Sequence, residues 1–81
     1  MRVTVTADDI AQGTPGSVRS CPIALAIDRA TGNNGPLWKV DGECAYRDDE
    51  PDHMLPEAAR EFVRSFDVGG YVEPFEFEVE V

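Results

Sequence analysis

Cations are scarce in this chain: 7 Lys and Arg stand against 16 Asp and Glu, a formal charge of -9 on 81 residues. Gripping nucleic acid by its phosphates requires cationic side chains, so direct binding to DNA or RNA is not expected. Anionic membrane surfaces are disfavoured for the same reason. A basic partner, or mimicry of a polyanion, is permitted. Cysteine is also scarce, with two residues, and histidine appears once. Two thiols fit a reducing compartment better than a disulfide scaffold. Cys21, Cys44 and His53 offer three zinc ligands at a spacing that suits no tetrahedral site, so neither metal nor cofactor is expected. No apolar run approaches the roughly 18 residues of a membrane span. The N-terminus alternates instead of joining a charged segment to a long apolar one, so no signal peptide is expected and the cytosol is the expected location.

What is present is enough apolar residue, 42%, for one small globular domain covering residues 1–81. Arg2-Val3-Thr4-Val5-Thr6 alternates with period two and reads as a strand. Thr6 and Asp9 form a capping-box variant that opens a short helix ending at Gly13. Gly13 to Ser17 is a loop, and Pro22 begins a helix to about Thr31, with Gly32 as its stop. Ile23, Ala26, Ile27 and Ala30 share one face of it, and Asn33 to Pro36 form a turn cluster.

Leu37 to Val40 and Glu43 to Tyr46 flank Asp41-Gly42, a hairpin signal that sets Lys39 opposite Cys44 and Trp38 opposite Ala45. Arg47 to His53 reads as a charged loop. Leu55, Ala59, Phe62, Val63 and Phe66 then trace an amphipathic helix stopped by Gly69-Gly70. Pro74 to Val81 alternates strictly, giving a last strand with one apolar and one acidic face. The order predicts an α+β domain, with a largely antiparallel sheet of about four strands and two main helices on one face. Pairing of the first strand with the last is expected near the centre.

Three constellations bear on function. Gly16, Ser17, Arg19, Ser20 and Cys21 precede the Pro22 helix, and glycines, hydroxyls, a guanidinium and free amides are the ingredients of an anion site. The bland alternative is a capped core helix in which Cys21 is a small buried hydrophobe. Glu76, Glu78 and Glu80, with Glu73 just before them, project from one side of the last strand at intervals of roughly 6.7 Å. Such a row can imitate a phosphate ladder, or simply keep a sheet face soluble. Trp38 on the hairpin is either core or an exposed anchor for a partner. Asp48, Asp49, Glu50 and Asp52 lack the spacing of a calcium loop and read as a solvated run.

The strings VTxxDIxxG (from Val5 to Gly13), CPIALAI (from Cys21 to Ile27), LPEAAxxFVxxFDxG (from Leu55 to Gly69) and VEPFxFEV (from Val72 to Val79) are spread along most of the chain. In them the sequence resembles small proteins of phages and prophages, actinobacterial ones among them. The resemblance implies a short, non-catalytic accessory product directed at host machinery in the host cytosol. It implies no ligand and no catalytic residue.

The leading expectation is therefore a non-enzymatic acidic inhibitor or mimic. It would occupy a host nucleic-acid-binding or defence protein through a basic surface, with Glu73, Glu76, Glu78, Glu80 and Trp38 at the contact. The alternative is a sponge for a nucleotide-type signal at Gly16, Ser17, Arg19, Ser20 and Cys21, between subunits of a homo-oligomer. A thiol enzyme using Cys21 is the third, and it would need His53 as base.

Overall fold

A computed structural model describes residues 1–32, 38–48 and 50–80, with Glu50 through its backbone alone. The elements are β1 (Arg2–Val5), α1 (Ala7–Gln12), α2 (Pro22–Ala30), β2 (Lys39–Val40), β3 (Cys44–Arg47), β4 (Glu50–Met54), α3 (Glu57–Asp67) and β5 (Phe75–Glu78). The fold is α+β, as the sequence predicts. Its strands form two antiparallel sheets rather than one: β1-β5, and β2-β3-β4. The expected turn at Asn33 to Pro36, along with Leu37, Asp49 and Val81, lies outside the described residues.

The alternation of β1 translates directly into burial, with Val3 and Val5 inside and Arg2 and Thr4 outside. β5 supplies the complementary face, pairing Val3 with Phe77 and Arg2 with Glu78. Thr6 then caps α1 in a full capping box: Asp9 N donates to Thr6 Oγ1 at 3.2 Å, and Thr6 N donates to Asp9 Oδ2 at 2.9 Å. Gly13 ends α1 beside Pro22, so close that a Cβ there would lie 2.7 Å from the proline ring.

Pro22 occupies the first position of α2, as the sequence predicts, and of the two candidate caps, Ser20 and Cys21, it is Cys21 that takes the position. Ile23, Ala24, Ala26 and Ile27 are buried, whereas Ala30, expected on the inner face, is exposed. The helix turns away from the core before its last residue. α2 packs on β1, and its buried Asp28 accepts the backbone N–H of Trp38 at 3.0 Å.

α3 buries Ala59, Phe62, Val63 and Phe66, the predicted stripe. It ends in a paired motif around Gly69 at φ 77°: Gly69 N donates to Phe66 O, and Gly70 N to Ser65 O at 2.7 Å. Phe62 stacks on Phe75 at 5.0 Å and Phe75 on Phe77 at 5.6 Å, fastening α3 to β5.

Two expectations are corrected in the hairpin region. Lys39 pairs with Tyr46 and Val40 with Ala45, so Gly42-Glu43 sit at the tip and the register differs from the one Asp41-Gly42 suggested. The carboxylate of Asp41 explains the shift, since it accepts the N–H groups of Glu43 and Cys44, each at 2.9 Å. Gly42 alone has positive φ there, whereas a type I′ turn needs two such residues. The second correction is larger. The supposed charged loop contains β4, which pairs Met54 with Cys44 and His53 with Ala45.

Candidate functional site

The solvent side of the β1-β5 sheet carries the acidic row. Glu73, Glu76, Glu78 and Glu80 are all exposed. Cross-strand neighbours engage part of it: Arg2 Nε donates to Glu78 at 3.0 Å, and its Nη1 lies 3.7 Å from Glu76. Thr4 Oγ1 donates to Glu76 at 3.1 Å, and the Met1 α-amino group lies 3.7 Å from Glu78. Exposed pairs of this kind contribute at most about 1 kcal/mol, so they organise the side chains more than they stabilise the fold. Tyr71 donates its hydroxyl to Glu73, and that hydrogen bond raises the phenol's pKa. The face therefore presents carboxylates with one guanidinium set among them.

Trp38 does not belong to that face. It is 1% exposed, with the Arg47 guanidinium 5.6 Å above its ring and the His53 ring 5.7 Å away. An indole so enclosed is a core residue and offers no anchor to a partner.

The region around Cys21 is closed rather than open. Pro22 has no N–H, and Pro22, Ile23 and Ala24 are all buried. Ala24 N donates to Cys21 Sγ at 3.4 Å, so the thiol caps its own helix. Burial pushes the Cys21 thiol up, and nearby Asp67 adds to the effect against the lowering influence of the helix amides. Ser17 Oγ accepts from Ser20 N at 3.2 Å, and Gly16 N donates to the Asp67 carboxylate at 3.0 Å. A cavity of about 200 Å³ beside Cys21 is walled in part by Asp41 and Asp67. Arg19 is exposed and does not line it. Gly16, Ser17, Ser20 and Cys21 are thus gathered, but around carboxylates, which disfavour an anion. A thiol held protonated is likewise a poor nucleophile.

Of the acidic run, Asp48 accepts from Lys39 Nζ at 3.0 Å. Asp52 lies on β4 and borders a feature that the sequence does not reveal. This is an open groove of about 840 Å³ between the end of β4 and the end of β5, with Met54, Arg60, Glu78 and Glu80 among its walls. The strand character of Glu50–Met54, hidden by its charges and Pro51, supplies one wall of it. Comparison with protein-family models, curated proteins and solved structures finds no match to this chain. No described helix is long and apolar enough to cross a membrane.

Proposed function

We propose that this protein is a non-catalytic binding protein, phage-type in origin, that occupies a basic surface on a host protein in the cytosol. The observation that carries the reading is the pair of exposed carboxylates Glu76 and Glu78 on the outer face of β1-β5, with Glu73 and Glu80 exposed on the chain that flanks it. A net charge of -9 gives that row a long-range field, which accelerates encounter with a cationic partner. A surface that normally holds nucleic acid is such a partner, and an alternating strand spaces its charges at roughly 6.7 Å. The protonated Cys21 thiol and its carboxylate-walled cavity support binding over catalysis and over anion capture.

The test pairs the purified protein with host nucleic-acid-binding and defence proteins, each in isolation, across a salt series. Binding should weaken steeply with salt and be lost in the triple variant Glu76→Lys, Glu78→Lys, Glu80→Lys, while Arg19→Ala binds as the parent does. Affinity that survives the triple reversal would end this reading.

A further inference from the structure

Two open strand edges border the β4–β5 groove. Met1 and Val79 exchange backbone hydrogen bonds, Met1 N to Val79 O at 2.8 Å and Val79 N to Met1 O at 3.0 Å. Antiparallel pairing alternates, so Arg2–Glu78 and Thr4–Glu76 are the non-hydrogen-bonded pairs, with N–H and C=O directed away from the partner strand. On the β1 side, Arg29 takes the outward carbonyl of Thr4 at 2.7 Å. On the β5 side, the outward main-chain groups of Glu76 and Glu78 have no partner among the described residues. β4 repeats the pattern. Leu55 N donates to Glu43 O at 2.9 Å, which turns the main chain of Met54, the next residue along, outward.

We infer that the groove receives an extended, lysine- or arginine-bearing segment of a partner protein, added as a strand to the β5 edge. This rests on the acidic-face reading above and supplies its mode of contact. Main-chain groups of the edge would give affinity, and the alternating side chains of the incoming strand would give selectivity. Charge selects the occupant: Glu78, Glu80 and Asp52 outnumber Arg60 and the Met1 α-amino group along the walls, and neither Glu80 nor Asp52 has an ion pair among the described residues. A second copy of this chain would set its own glutamate row against this one, and like charges facing across a strand pair repel. Met1 and Met54, 49% and 61% exposed, flank the groove with side chains that adapt to irregular neighbours.

The experiment titrates a short, end-blocked peptide of alternating lysine and threonine into the full chain and reads amide hydrogen exchange. Exchange at Glu76 and Glu78 should slow by roughly tenfold or more, as for amides entering a ladder. The same peptide N-methylated at alternate residues keeps its charge but cannot form the ladder, and it should give no protection. Glu78→Gln should retain the protection at weaker affinity. Glu78→Pro, which removes the outward N–H as well as the carboxylate, should abolish it, and the contrast with Glu78→Gln isolates the loss of the N–H. Binding that ignores N-methylation overturns the added strand and leaves the acidic-face reading standing. An alternating glutamate and threonine peptide that binds equally well overturns both. Absence of any binding by the basic peptide overturns the inference.

Discussion

The guanidinium of Arg29 closes on the carboxylate of Asp9 with two hydrogen bonds, 2.7 and 2.8 Å long, across twenty residues of sequence. The same carboxylate caps the first turn of α1, and the same guanidinium holds the Thr4 carbonyl at the edge of β1. One ion pair thereby joins β1, α1 and α2.

Removing that junction should cost more than an exposed pair. Asp9 is 5% exposed, and Asp9→Ala deletes a cap as well as a charged hydrogen-bond partner. We expect a loss of about 2–3 kcal/mol, read from chemical denaturation. A loss below about 0.5 kcal/mol would place the pair among ordinary surface contacts.

The same residue sets a pH dependence. Burial alone would raise the Asp9 pKa, but the Arg29 and Thr6 hydrogen bonds and the Arg29 charge together bring it below its ordinary 3.8. A carboxyl with a lowered folded pKa binds fewer protons folded than unfolded. Its contribution is present above pH 3.8 and disappears as the pH falls through the folded value. The melting temperature of the parent should drop more steeply below that pH than that of Asp9→Asn. Parallel curves would refute the linkage.

Gly13 is fixed by space rather than by backbone angle. Its φ of -70° suits any residue, yet a Cβ would stand 2.7 Å from both Cγ and Cδ of Pro22. Gly13→Ala should destabilise by about 1–3 kcal/mol through forced separation of α1 from α2. Thermal unfolding at matched pH measures it, and an unchanged melting temperature would mean that the two elements part freely.

The two thiols should react in different regimes. Cys44 is partly exposed and Cys21 is 3% exposed; burial raises the pKa of both thiols, and exposure is what separates them. A thiol-specific reagent at mildly alkaline pH should modify Cys44 in the native protein. Cys21 should follow only at the rate of unfolding, which mass spectrometry with added denaturant resolves. Fast native labelling of Cys21 would contradict the closed helix start.

Much of the architecture is legible locally. Val3 and Val5, the Thr6–Asp9 box, the Cys21-Pro22 start and the Phe62 stripe each announce themselves through spacing or capping chemistry. What escapes is non-local. The carboxylate of Asp41 competes with the Asp-Gly turn preference and moves the hairpin register. Glu50, Pro51 and Asp52 look like a loop because an edge strand tolerates charge and proline, and pairing with β3 is what orders them. The glutamate row is legible in the sequence, but its pairing with Arg2 depends on the β1-β5 register. Burial of Trp38 and the carboxylates around Cys21 depend on neighbours distant in the chain. The groove, made by two sheets that do not join, has no local signature at all.

The pairing of Met1 with Val79 has a kinetic meaning. These residues are 78 positions apart, and closing so long a loop in an unfolded chain costs about 4 kcal/mol beyond a fixed term. That cost shrinks when other native contacts, such as the packing of α2 on β1, already hold part of the chain together. The ordered acidic face therefore depends on this long-range pairing. An incomplete or partly unfolded chain carries the same glutamates but displays no ordered row for a partner to find.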